Sequence, residues 1–121
     1  MSLYDEIGGK AAVDAAVDVF YEKVLADPTI NGFFSDIDMT AQRRKQKAFF
    51  TILFRGESDN TDAYMRKAHA KLVAEDGLSD AHFDAVAGHL NATLEELSVK
   101  PELIETVMTT AAGMRDAVLN R

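Results

Sequence analysis

Apolar side chains recur along this chain every three or four residues, the spacing of one face of an α-helix. The clearest run covers residues 11–26, where Val13, Val17, Phe20 and Val24 form a stripe and Asp14, Asp18 and Glu22 fall outside it. Asp27-Pro28 closes this run, because proline disfavours helical geometry in the residue before it. A short turn-rich piece follows and ends in Phe33-Phe34. A second helix is predicted over residues 40–55 and a third over 63–75, stopping near Gly77. The fourth begins after Ser79, a favoured N-cap, and runs to Leu97 on the stripe Phe83, Val86, Leu90, Leu94 and Leu97. The last begins at Pro101, a favoured first helical residue, with Ile104, Val107, Ala111, Met114 and Val118 inward. Gly8-Gly9, and Gly56 with the polar run after it, are punctuation. No alternating strand pattern is visible, so the fold class is all-α.

Composition narrows the partners. With 121 residues, the expected organisation is a single domain over 1–121, large enough for a core without disulfide staples. Acidic side chains number 20 against 13 basic, a net charge of −7, which repels phosphate backbones and anionic membrane surfaces. Cysteine is absent, which removes disulfides, thiolate metal sites and cysteine nucleophiles. The first ten residues hold Asp5 and Glu6 and no apolar run, and no stretch approaches a membrane span, so the cytoplasm is the expected location; no large exposed apolar patch is readable, so a monomer is the expected state.

Polar residues that invade an apolar stripe carry the chemical information. The inward positions of the second helix read Met39, Gln42, Gln46, Phe49 and Leu53, so two glutamines stand where core residues belong. Lys45 borders the same face. Tyr21 lies on the flank of the first stripe, and its ring can be buried only if its hydroxyl finds a partner. Two arrangements satisfy this spacing: Tyr21, Gln42 and Gln46 line one polar pocket, or the glutamines face solvent near a helix start. In the third helix Met65, His69 and Leu72 share a face, which points His69 at apolar material. A neutral imidazole there is either an iron ligand or a core histidine satisfied by a backbone carbonyl. His82 and His89 are weaker candidates, being about 10.5 Å apart along a helix and too far to share a metal ion. No HExxH spacing, calcium loop, phosphate-binding glycine loop or Ser-His-acid set is present.

Six motifs in order give the pattern a family. LYDEIGG (3–9), FYEKVLADP (20–28) and FFSDIDM (33–39) are followed by QRRKQKAFF (42–50), MRKAH (65–69) and HFDAVAGHL (82–90). In order and spacing the chain resembles a group I truncated haemoglobin of the cyanobacterial, green-algal and ciliate kind. The resemblance implies two helices packed over two, with haem b held between. It implies that His69 is the proximal iron ligand, and that Phe34 packs on the haem face with Phe49, Met65 and Phe83 among the haem contacts. It implies that Tyr21, Gln42 and Gln46 form the distal hydrogen-bonding set for dioxygen. The function so implied is reversible binding of dioxygen, carbon monoxide and nitric oxide, with oxygen transport or the oxidation of nitric oxide to nitrate served by a reductase. A haem-free interaction module would gain by making these four polar residues apolar.

Lys45 opens an alternative. In related cyanobacterial proteins a histidine at this position binds the iron from the distal side, and in some algal relatives a lysine does. Lys45 is therefore either a second candidate iron ligand, in a hexacoordinate protein of electron transfer or gas sensing, or a side chain that snorkels to a haem propionate or to solvent. Coordination there requires the neutral amine, so it is coupled to loss of a proton. Two departures from the family pattern are visible. Met114 stands where some members attach the haem through a histidine, which predicts non-covalent haem. Arg55-Gly56 replaces a Gly-Gly pair, so Arg55 either extends the helix or reaches a haem propionate.

Overall fold

The computed structural model describes residues 3–55 and 62–121. Gly56 and most of the polar run after it lie outside the described residues. Seven α-helices and no strand occur among the described residues: α1 (Leu3–Ile7), α2 (Gly9–Ala26), α3 (Met39–Arg55), α4 (Asp62–Asp76), α5 (Asp80–Glu96), α6 (Pro101–Ala112) and α7 (Arg115–Val118). A 3-10 turn, Asn31–Phe34, links α2 to α3.

The five long runs expected from the sequence are α2 to α6, with ends shifted by a residue or two except at the far end of α6. Two differences have local causes. The five-residue α1 is too short to show a period, and it is cut from α2 by Gly8-Gly9. Gly8 has φ 129° and Gly9 φ 65°, and a Cβ on Gly8 would meet the Ala12 Cβ at 3.0 Å, so glycine is required at that corner. The last predicted helix is interrupted at Gly113 and restarts as α7. Its inner face survives the break, because Ile104, Val107, Met114 and Val118 are all buried.

Helix starts and stops follow side-chain chemistry. Asp38 caps α3, its carboxylate accepting from the Thr40 amide at 3.0 Å and more weakly from Ala41 at 3.4 Å. At the start of α5 the Ser79 amide donates to His82 Nδ1 at 3.0 Å, so this histidine serves a cap rather than a metal. Asp27 is extended, with φ −95° and ψ 109°, as its following proline demands.

Helix α2 pairs with α3 and α5 with α6, while α2 lies on α5 and α3 on α6. This is the two-over-two sandwich. Its core is the expected stripe of α2, Val13, Val17, Phe20 and Val24, against Phe50, Leu53 and Phe54 of α3 and Leu90 and Leu94 of α5. Phe20 meets Phe50 edge-on with centroids 5.3 Å apart, a contact contributing about 0.5–1.5 kcal/mol beyond its buried area.

Polar side-chain pairs between helices mark the helix directions. Asp14 of α2 meets Lys47 of α3 at 3.4 Å and Asp18 meets Arg43 at 2.9 Å, so numbers rise on one helix as they fall on the other. Lys23 with Glu96 at 3.3 Å and Asp27 with His89 at 2.7 Å place α2 antiparallel to α5 as well. Solvent screens pairs this close to the surface, which makes them register marks more than supports. Among the described residues no helix is long and apolar enough to cross a membrane.

Candidate functional site

One turn beyond the Asp18–Arg43 pair, the α2–α3 interface changes character. Tyr21 occupies the next inward position, with 1 % of its surface exposed. Phe20 packs edge-on against its ring at 5.2 Å, and Phe34 from the 3-10 turn does so at 5.8 Å. The Arg43 guanidinium lies 5.4 Å from the ring centroid. The Tyr21 hydroxyl reaches the half-buried face of α3, where both glutamines meet it. Gln42 Nε2 donates to the phenol oxygen at 3.2 Å. The phenol donates to Gln46 Oε1 at 3.4 Å. Of the two arrangements open from the spacing, the one that brings Tyr21, Gln42 and Gln46 together is the one that forms.

The electrostatics fix the protonation. Burial pushes the Tyr21 phenol above its ordinary range, against smaller opposing effects from the Gln42 bond and the Arg43 charge. The hydroxyl therefore remains a neutral donor near neutral pH. It has one proton, spent on a long bond to Gln46 that sits at the outer limit of hydrogen-bond geometry. The bond from Gln42 polarises the hydroxyl in the useful direction. Among the described residues Gln46 Nε2 has no hydrogen-bond partner, so a second donor stands beside the first.

His69 lies on a different element, α4. Its Nδ1 is 2.8 Å from the Met65 carbonyl oxygen, one helical turn back. A carbonyl only accepts, so Nδ1 is the donor, and in the neutral ring this leaves the lone pair on Nε2. The imidazole is half-buried rather than enclosed in the core. Met65 is buried on the same face, and Leu72 is half-buried. Phe34, Phe49 and Phe83 also sit at the margin of the core, packed against it but not within it. The Arg115 guanidinium covers the Phe83 ring at 4.5 Å.

Other candidates are placed as follows. Lys45 is exposed and has no ion pair among the described residues, whereas Arg43 and Lys47 on either side are both paired. His89 is held by Asp27 across the α2–α5 interface. Arg55 extends α3 by its last residue and lays its guanidinium 4.8 Å over the Tyr4 ring. Met114 is buried at 2 % exposure. The sequence reading missed Arg43 and Asp18. The signal was available: Asp14 and Asp18 flank one stripe at a spacing of four, and Arg43 and Lys47 flank the other.

Residues 2–120 match the family model for bacterial-like globins. A group 1 truncated hemoglobin of the cyanobacterium Synechocystis sp. is 50 % identical over 123 residues, covering 99 % of this chain and 98 % of that protein. A group 1 truncated hemoglobin of the ciliate Tetrahymena pyriformis is 35 % identical over 120 residues, covering 99 % of this chain and 96 % of the relative. Among solved structures, a 2/2 hemoglobin from Synechococcus sp. PCC 7002, in the cyanomet state and with covalently attached heme, superposes with a TM-score of 0.92 at 48 % identity over 100 % of both chains. A chain with this sandwich, this buried tyrosine–glutamine cluster and these relatives belongs to the bacterial-like globins and, within them, to the group 1 truncated haemoglobins.

Proposed function

We propose that this globin holds haem b without a covalent bond, binds dioxygen, carbon monoxide and nitric oxide reversibly, and converts nitric oxide to nitrate. Family membership supplies the coarse part, a haem globin that binds gas ligands such as dioxygen. The finer part is carried by one observation: a buried phenol held between two glutamine amides.

The donor set suits the cofactor. In its neutral form His69, with Nδ1 donating to the Met65 carbonyl, would turn the Nε2 lone pair toward a metal, which is what haem iron requires of a protein ligand. Large apolar side chains at the core margin, Phe33, Phe34, Met39, Phe49 and Phe83, are only partly covered by the protein itself. They offer apolar surface for a flat macrocycle. Met114 supports non-covalent attachment, since a buried thioether stands where the covalently attaching relatives are expected to place histidine. When bound, haem supplies an open iron position and the electron chemistry.

The chain's own residues do the rest. Tyr21 donates its proton to a partly negative gas ligand and releases Gln46 Oε1 as it does so. Gln42 holds the phenol oxygen in place, and Gln46 Nε2 serves as the second donor. Preorganised donors of this kind need no rearrangement of solvent when charge develops. The net reaction joins nitric oxide, dioxygen and one electron into nitrate, and the electron comes from a reductase. The exposed large apolar residues among those described, Leu25, Ile37 and Tyr64, lie on separate segments, which supports a monomer. Rapid mixing of the oxygenated protein with nitric oxide checks the turnover. The expected result is one nitrate per haem at a rate that rises with nitric oxide concentration. Nitrate formed no faster than dioxygen leaves would remove the enzymatic part.

A second reading is favoured by Lys45. It lies beside Gln46 on α3 and is unpaired between two paired neighbours, so its amine is at liberty to swing toward the haem. In that reading Lys45 is the sixth ligand in the absence of gas, and the protein serves electron transfer or sensing. A low-spin ferrous spectrum that disappears in Lys45→Ala is the expected result. A high-spin wild type, or a low-spin spectrum unchanged in the variant, excludes Lys45.

A further inference from the structure

Helix α4 carries His69 but owns little of the core. Met65 is its buried side chain among the described residues, while Tyr64, Lys67, Ala68, Ala70 and Lys71 are exposed. Its main packing partner is the short helix α7. A helix with so little apolar anchorage is free to rock unless directed bonds hold it.

Two directed bonds do so, both at Arg66. The Asn120 side-chain amide donates to the Arg66 backbone carbonyl at 3.0 Å. The Arg66 guanidinium donates to the Arg121 backbone carbonyl at 2.9 Å. The carbonyls of Met65 and Arg66 are consecutive. The first receives the His69 ring and the second receives Asn120, so the turn that orients the imidazole is itself pinned.

The pin is firmly mounted. Asn120 adopts a left-handed φ of 58°, which asparagine tolerates better than most residues. The Arg121 amide donates to the Asp116 carbonyl at 2.8 Å and the Asn120 amide to that of Ala117 at 3.2 Å, the paired bonds of a Schellman turn. The Arg121 guanidinium then grips Asp80 of α5 at 2.8 and 3.1 Å. Arg115 holds Asp80 and Asp84 at 3.0 and 2.6 Å. The turn is thus fixed to the start of α5 while its amide reaches across to α4.

We propose that Asn120 is a positioning residue for His69: its amide, mounted on the turn that closes α7, sets the tilt and reach of the imidazole through the Arg66 carbonyl. The proposal rests on the reading of His69 as the iron ligand. It assigns a role at the proximal side to residues that touch neither haem nor gas.

Asn120→Gly separates the amide from the turn, because glycine adopts the same φ without strain and keeps Arg121 in place. Asn120→Asp repeats the test with a side chain of the same shape that lacks the donor. The holoproteins are compared by the iron–histidine stretching band of the ferrous, ligand-free form and by the rate of haem transfer to excess apomyoglobin. Both variants are expected to shift the band and to release haem about fivefold faster, the factor for losing one neutral hydrogen bond. An unmoved band with an unchanged transfer rate overturns the proposal, as does a lowered melting temperature with an unmoved band, which would make Asn120 merely structural. If the wild type is low-spin, the band is read in the Lys45→Ala background; a five-coordinate ferrous protein with no iron–histidine band overturns the His69 reading itself, and the latch with it.

Discussion

Replacing Tyr21 with phenylalanine is expected to speed dioxygen release by roughly 10- to 150-fold, the equivalent of about 1.5–3 kcal/mol for a hydrogen bond to a charged acceptor. The ring fits the same edge-on contacts with Phe20 and Phe34, so packing is preserved and only the hydroxyl is lost. Gln42 Nε2 loses its acceptor, but its side chain is half-buried and finds water. Carbon monoxide is the internal control. It carries far less negative charge than dioxygen when bound, so its release should change much less than that of dioxygen. Flash photolysis and stopped-flow measurements on both gases check this. Equal effects on the two would mean that Tyr21 acts by shape rather than as a donor, and no effect on either would place its hydroxyl away from the ligand.

Replacing His69 with glycine is expected to accelerate haem loss by at least about 100-fold, since altering only the groups behind a metal ligand already costs about 10–100-fold in affinity. Free imidazole should restore the five-coordinate spectrum by filling the vacated space. His82→Gly and His89→Gly are the comparison, because those rings are committed to Ser79 and Asp27. They should lose some stability and keep their haem. If haem retention fell in either of them as far as in His69→Gly, the iron ligand would need reassignment.

The helices were legible because each buries one face, and burial leaves a period in the sequence. Val13, Val17, Phe20 and Val24 show it, and all four are buried. Proline marked the end of α2 and the start of α6 for reasons of backbone geometry alone. The break at Gly113 was not legible, since the inward positions continue through it unchanged. The polar pocket was legible only in part. Spacing put Gln42 and Gln46 on the inward face of α3, but their partner comes from another helix and is 21 to 25 residues away. No local pattern encodes such a contact. His69 shows the complementary limit. A carbonyl partner was expected for a core histidine, yet the Met65 carbonyl also frees Nε2 for a metal. The same bond serves both readings, which is why neither the spacing nor the hydrogen bond alone chooses between them. Lys45 was legible as a neighbour of the pocket, but the direction of a long flexible side chain is not written in its spacing.

A haem titration tests the globin reading most directly. Haem is added stepwise to the apoprotein and the Soret band is followed, then the sample is reduced and exposed to dioxygen. A break at one haem per chain, followed by a dioxygen spectrum that is lost and regained as the gas is removed and returned, is the predicted result. A chain that takes up no haem, or that takes it up only in His69-independent fashion, would contradict it.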